Sequence, residues 1–436
     1  MLKKGTKIML FKNITILDEN LEIKNNMYVV TEDDRIKYIG EERPEGTFDR
    51  EYDGKGRLLM PGFYNAHAHS PMSLMRGYGE NLALSDWLNT KIFPFEDKLD
   101  GNAVYWGTLL SYAESLRFGI VSSSDMYYFM DEMAKATADA GIKGNLSRSI
   151  VHFTDSDPWE LPSMHEMKRT FEEYHNTCDG RIKMDMSIHA EYTSNPIAVT
   201  AVADYAKSVG ANMQVHVSES KSEHEECKGR HGKTPTKYFL DLGLLDVPTT
   251  CAHCIWLEDE DFDILKEKGA TIAANPISNL KLASGVSNVP KMLERGINVA
   301  IGTDSTASNN SLNFIEEMKV FATASKMYYG DPKAVSPSQT LYAATRAGAL
   351  SQGRTDCGIL KEGAKADLIV VDISGVHMHP IHDLKNNLVY SASGSDVKMT
   401  MVDGKVLYED GDFITIDIER TIYEAEKATK NILAQL

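Results

Sequence analysis

The sequence predicts an α/β protein: a TIM-type (β/α)8 barrel with a small β-sandwich domain built from both chain ends. Three observations predict it. Apolar strand-like runs alternate with longer helical patterns from Leu58 to about Glu362, eight such runs can be placed there, and β-rich stretches with turn residues flank them on both sides. The 436 residues exceed the ~100–200 usual for one domain, which suits a large domain carrying a smaller one.

Residues 1–60 read as short strands. Lys7–Phe11, Met27–Thr31 and Arg35–Ile39 are apolar or alternating, and Pro44, Gly46, Gly54 and Gly56 punctuate them. Residues 61–362 are the expected barrel. Its strands are placed at Leu58–Phe63, Ile120–Asp125, Lys143–Ile150, Lys183–His189, Asn212–His216, Thr249–His253, Ala270–Ala274 and Val299–Gly302. Asn102–Phe118, Asp131–Ala140, Ile197–Ser208 and Leu312–Met327 read as helices outside it, and a doubly wound open sheet is the alternative arrangement. Residues 363–436 revert to strands: Asp367–Asp372 is strongly apolar, and Val397–Val402 and Lys405–Tyr408 flank Asp403-Gly404, a two-residue hairpin signal. A helix, Ile418–Leu436, closes the chain. The two β-rich ends are expected to pack together as one sandwich into which the barrel is inserted.

Composition narrows the function classes. With 42% apolar and 25% charged residues the chain is an ordinary globular protein rather than a disordered one. A net charge of −17 repels phosphate backbones and anionic lipid, so neither nucleic acid nor membrane is expected as a partner. Met1–Leu10 has no apolar stretch of signal-peptide length, and no segment approaches the ~20 apolar residues of a membrane span. Cys178, Cys227, Cys251, Cys254 and Cys357 are an odd, scattered set, which suits free thiols in the reducing cytoplasm.

The chemistry-bearing residues end apolar runs. His67 and His69, two positions apart in PGFYNAHAHS, fall on one face of a strand. In a barrel, strand carboxyl ends open on the active-site mouth. His216, His253 and Asp304 end later strands in the same way, so His67, His69, His216 and Asp304 make a nitrogen and oxygen set for one divalent metal per chain, zinc first and iron(II) second. Such a metal lowers the pKa of a water from ~15.7 to about 7 and so makes a nucleophile. Glu219, three residues after His216, is placed to carry a proton, or else is a solvated loop acid. His253 would stabilise developing negative charge, and Asp304 would both ligate and accept the water's proton. Cys251 and Cys254 read as buried thiols. Asn275–Leu282 reads as a rim segment, although Pro and Asn are also ordinary turn formers.

Taken in order, PGFYNAHAHS, HVSE, CAHC, NPISNLKL and IGTDS resemble the amidohydrolase superfamily, in its methylthioadenosine/S-adenosylhomocysteine deaminase-like branch. GAKADLIVVD and VDGKVLYEDG resemble that family's sandwich strands. The resemblance implies metal ligands at His67, His69, His216 and Asp304 and proton handling by Glu219 and His253. It implies a mononuclear site, because the fourth barrel strand ends without the bridging lysine of two-metal members. It also implies substrate contacts: Trp87 packing on the ligand, Glu96 taking ribose hydroxyls, His189 at a ring nitrogen, Arg148 facing an amino-acid tail. Asp155–Met167 lacks the second arginine of relatives that handle S-adenosylhomocysteine, which shifts weight to methylthioadenosine, 5′-deoxyadenosine or adenosine.

The expected activity is therefore metal-dependent hydrolytic deamination of an adenosine-type nucleoside (methylthioadenosine, S-adenosylhomocysteine, 5′-deoxyadenosine or adenosine), a small-molecule substrate, releasing ammonia and an inosine-type product. The competing readings are deamination of another amino-heterocycle (guanine, cytosine, pterin or triazine type), hydrolysis of a cyclic amide or carbon–halogen bond, and a non-enzymatic assembly module. Homo-oligomers are common among such barrels.

Overall fold

The computed structural model describes residues 7–82 and 84–436; residues 1–6, which include most of the stretch read for a signal peptide and the start of the 1–60 span, lie outside the described residues. In chain order the strands are β1 (Ile8–Leu17), β2 (Ile23–Glu32), β3 (Arg35–Gly40), β4 (Arg50–Asp53), β5 (Arg57–Pro61), β6 (Phe63–Ala68), β7 (Ile120–Tyr127), β8 (Lys143–Ile150), β9 (Ile182–Ile188), β10 (Met213–Val217), β11 (Thr249–His253), β12 (Thr271–Ala274), β13 (Asn298–Ile301), β14 (Leu368–Asp372), β15 (Val397–Val402), β16 (Lys405–Glu409) and β17 (Asp412–Phe413).

They form two sheets. β6 to β13 are eight parallel strands in sequence order. The backbone amides of Thr303 and Asp304 donate to the His67 carbonyl, and Ala68 pairs with Asp304, so the end of the last strand returns to the first and the sheet closes as a (β/α)8 barrel. Every residue of β7, β10 and β11 is buried, as expected for strands covered by helices outside and packed side chains inside. The outer helices carry local start and stop signals. Asn195 Oδ1 accepts from the Ala198 amide at 3.0 Å to begin Pro196–Val209, and Gly210 at φ 68° ends it.

The second sheet joins both chain ends in the order β17-β16-β15-β14-β5-β1-β2-β3, with β4 beside β1. Its core gathers Phe11, Ile14, Ile16 and Leu59 from the amino end with Leu368, Val370 and Met401 from the carboxyl end. Asp403 (φ 45°) and Gly404 (φ 70°) turn the β15–β16 hairpin, and a Cβ on Gly404 would lie 1.7 Å from the Asp33 carbonyl oxygen. The last helix, Ile418–Leu433, packs on the barrel helix Gly101–Arg117.

One expected element divides. Leu58–Phe63 was read as the first barrel strand, but β5 pairs with β14 and β1 in the small sheet, and the barrel begins at Phe63. The change of sheet happens at Gly62, where a Cβ would stand 2.2 Å from Val121 Cγ1. Apolarity cannot mark that switch, because Leu58, Leu59, Met60 and Phe63 are all buried.

A buried ionic cluster ties the two sheets. Lys143 on β8 is 2% exposed and donates to Asp367 and, at 2.7 Å, to Asp403; Tyr64 also donates to Asp367. Burial pushes the Asp367 carboxyl up, but the Lys143 charge and hydrogen bonds outweigh it and hold it below its ordinary value. Stability from this pair is therefore full above the unfolded carboxylate value of ~3.9 and is lost as pH falls through the lower folded value. Lys143→Met removes the cation of Asp367 and leaves Asp403 only Lys365 at 3.5 Å, and is expected to cost about 3–5 kcal/mol, read by urea unfolding; a cost near zero would refute the structural role.

Candidate metal centre and active site

The barrel mouth collects the donors. His67 lies on β6 and His69 just past it, His216 on β10, and Asp304 directly after β13. Asp304 Oδ1 stands 3.3 Å from His69 Nε2 and 3.6 Å from His67 Nε2, and His216 Nε2 is 3.3 Å from His69 Nε2. Ligand atoms arranged tetrahedrally around one zinc at ~2.0–2.1 Å are roughly 3.3 Å apart, so these separations fit a shared cation.

Proton placement gives a second test. The Nδ1 atoms of His69 and His216 each face a backbone carbonyl at 2.6 Å, of Met126 and His189 respectively, and so donate. That leaves two Nε2 lone pairs facing each other, an arrangement that a cation between them resolves. His67 Nε2 is buried without any hydrogen-bond partner. Burial, then neighbouring imidazoles, hold His67 and His216 well below the usual histidine value, which favours the neutral, ligating form. Burial lowers His69 as well, but the hydrogen bond and charge of Asp304 outweigh it and raise the imidazole.

Asp304 is fixed from behind. Its Oδ2 accepts from Ser278 Oγ at 2.6 Å and Ser308 Oγ at 2.9 Å, leaving Oδ1 toward the histidines. Asn65 bridges the same junction, accepting from the Thr303 amide at 3.0 Å and donating to Thr303 Oγ1 at 2.7 Å. Ser218, His253 and Asp304 all hold left-handed backbone (φ 49°, 70° and 59°), strain concentrated at strand ends that carry the site. Gly302 permits the closest approach: a Cβ there would sit 2.9 Å from the His67 Cβ.

Glu219 is buried, not the solvated loop acid of the alternative reading, and burial pushes its carboxyl up. Its Oε2 lies 3.7 Å from His253 Nε2, while His253 Nδ1 meets Asn279 Oδ1 at 2.7 Å. The shorter contact, to an amide oxygen that only accepts, assigns the proton to Nδ1 over the Asn275 amide nitrogen at 3.3 Å, and Nε2 turns to the chamber.

His69, His216, Glu219, His253 and Asp304 line an inner chamber together with Trp87, Glu96 and His189. His67 sits beneath it, 1% exposed. Trp87 and Glu96 come from a helical flap, Leu84–Glu96, that includes a π-helical turn at Leu88–Ile92. Burial raises the Glu96 carboxyl to about 7 and lowers His189 to about 4. Arg148 stands apart, in an outer vestibule of about 1230 Å³ into which the chamber opens. The structure thus brings nine of the ten expected residues to one chamber and its floor and sets Arg148 outside.

One segment does two things. The rim expected at Asn275–Leu282 is present at its end, where Lys281 and Leu282 line the vestibule, while Ser278 and Asn279 are buried supports for Asp304 and His253. Cys251 and Cys254 are buried free thiols.

Comparison with known proteins assigns this geometry. The profile of the amidohydrolase family matches residues 58–407. The chain belongs to the amidohydrolase family. This amidohydrolase is 41% identical over 428 residues to the 5-methylthioadenosine/S-adenosylhomocysteine deaminase of Thermoanaerobacter pseudethanolicus, covering 98% of this chain and 99% of that protein. It is also 41% identical over 408 residues to the 5′-deoxyadenosine deaminase of Methanosarcina mazei, covering 94% of each. Among solved structures, a zinc-bound adenosine deaminase from Xanthomonas campestris superposes with a TM-score of 0.93 at 27% identity, covering 98% of both chains. As a hydrolase of this family the chain fits a divalent metal at its histidine-rich mouth. Among the described residues, no helix is long and apolar enough to cross a membrane.

Proposed function

We propose that this amidohydrolase hydrolytically deaminates an adenosine-type nucleoside, holding one divalent cation, zinc first, through His67, His69, His216 and Asp304. Once bound, the cation supplies Lewis acidity that makes water a nucleophile near neutral pH. A single-cation site is favoured because β9 ends at Ile188 with His189 following, and no lysine stands at that mouth position.

The chain's own groups do the rest. Asp304, its Oδ2 held by two serine hydroxyls, takes the proton of the attacking water. Glu219, whose carboxyl burial pushes up, delivers its proton to the ring nitrogen next to the amino-bearing carbon. His253, oriented by Asn279, faces the oxygen on which charge develops. The hydroxyl adds at the carbon, the proton taken by Asp304 passes to the amino group, the carbon–nitrogen bond breaks to release ammonia, and the hydroxyl proton returns to Glu219, leaving an inosine-type carbonyl. His189, lowered by burial to about 4, meets the purine as a neutral imidazole. Glu96 takes ribose hydroxyls, and Trp87 closes over the ligand from the flap. All five cysteines are free, which fits a reducing, cytoplasmic setting.

The observation that carries this reading is a buried carboxyl, Glu219, beside a convergent metal-type donor set in one chamber. Metal-replete protein is expected to release ammonia stoichiometrically from 5′-methylthioadenosine, 5′-deoxyadenosine or adenosine. Ammonia from guanine, cytosine or a triazine alone would move the substrate class, and release from no amino-heterocycle would sink the reading.

A further inference from the structure

Resting on the nucleoside reading above and deepening it, we propose that Glu166 is a specificity-determining residue: it holds Arg148 in an internal ion pair and so sets the vestibule for nucleosides whose 5′ substituent carries no carboxylate. Arg148 is the cation on the vestibule wall that rises from the barrel itself, on β8. Its Nε donates to Glu166 Oε2 at 2.7 Å, its Nη1 donates to the Ser149 carbonyl at 2.6 Å, and its guanidinium lies 4.7 Å over the Tyr128 ring. Glu166, on the helix Pro162–Tyr174, is fixed in turn: Oε1 accepts the Met130 amide at 2.9 Å. The two side chains are 17% and 22% exposed, so water screens the pair only in part.

A substrate carboxylate brought to Arg148 therefore meets a second carboxylate already there. Among the described residues Arg148 Nη2 makes no hydrogen bond, so the carboxylate can reach that nitrogen, but there it meets a guanidinium whose charge Glu166 already offsets; to take Nε as well it must displace Glu166 and leave the Met130 amide without its acceptor. A methyl or thioether substituent incurs neither cost and meets Leu88, Phe93 and Tyr128 on the same wall. The other lysines there do not replace Arg148. Lys281 Nζ is paired with Glu80 at 2.9 Å, and Lys221 is an exposed rim residue lying 5.7 Å over the Trp256 ring. Glu96, Asp97 and Glu226 add acidic groups to the same lining.

The test measures kcat/KM, and calorimetric binding to the metal-loaded enzyme, for 5′-methylthioadenosine and S-adenosylhomocysteine. Wild type is expected to favour 5′-methylthioadenosine by about tenfold or more. Glu166→Gln, whose amide oxygen still serves Met130, is expected to shrink that ratio about tenfold, chiefly by improving S-adenosylhomocysteine. Glu166→Asp, which keeps the charge, is expected to keep the preference. A wild type that favours S-adenosylhomocysteine overturns the proposal whether or not the variants fold. So does an unchanged ratio in Glu166→Gln, or a loss of S-adenosylhomocysteine there, which would make the pair a receptor for the zwitterionic tail. Turnover with an unchanged ratio defeats this inference and spares the deaminase reading; a shifted binding ratio without turnover does the reverse.

Discussion

Asp304→Ala is expected to lower kcat by about 10⁴-fold and to strip the protein of its metal, because one side chain serves as ligand and as proton acceptor. The geometry suits this proposed double duty. Oδ1 faces His67 and His69 at 3.6 and 3.3 Å, while Oδ2 is occupied by Ser278 and Ser308. Substituting a support instead of the ligand separates the two effects. Ser278→Ala keeps Oδ1 as a ligand but removes one of the two bonds that hold Oδ2, leaving Ser308 alone, and a loss of about 10–100-fold in metal affinity or activity is expected. Metal content by atomic emission, measured beside steady-state rates, reads both variants. Full activity in Asp304→Ala would remove this residue from the chemistry.

Glu219→Gln is the second large effect, an expected drop of about 10²–10⁴-fold in kcat with the metal retained. Glutamine preserves the shape and hydrogen-bonding reach of the side chain but cannot give up a proton to a ring nitrogen. Among the described residues Glu219 touches none of the four donors within hydrogen-bond distance, and its Oε2 stands 3.7 Å from His253 Nε2, so the cation should stay. The loss should therefore appear in kcat rather than in metal content. Loss of metal would instead make Glu219 a ligand, and an unaffected kcat would assign the proton transfer elsewhere.

Much of this site is legible in the sequence because barrel chemistry sits at strand ends. His67, His69, His216, His253 and Asp304 each finish an apolar run, and an apolar run that ends in a metal-type ligand stands out one residue at a time. Their supports do not. Ser278 lies 26 residues from Asp304 and Asn279 26 from His253, on the short helix Pro276–Lys281 after β12, and small polar residues beside a proline look like any turn. The pairing of Arg148 with Glu166 is equally silent, since it joins a strand to the following helix across 18 residues. In the fold, β4 escaped notice because its residues are largely exposed and polar. The switch of sheets at Gly62 escaped because the strands on both sides of it are apolar and buried.

The account stands on a single cation held by four side chains far apart in sequence. Anomalous diffraction at the zinc edge from crystals of the metal-loaded protein tests that directly. One peak per chain, bonded to His67 Nε2, His69 Nε2, His216 Nε2 and Asp304 Oδ1, is the result predicted. A peak elsewhere, or two adjacent peaks sharing a bridging ligand, would contradict it.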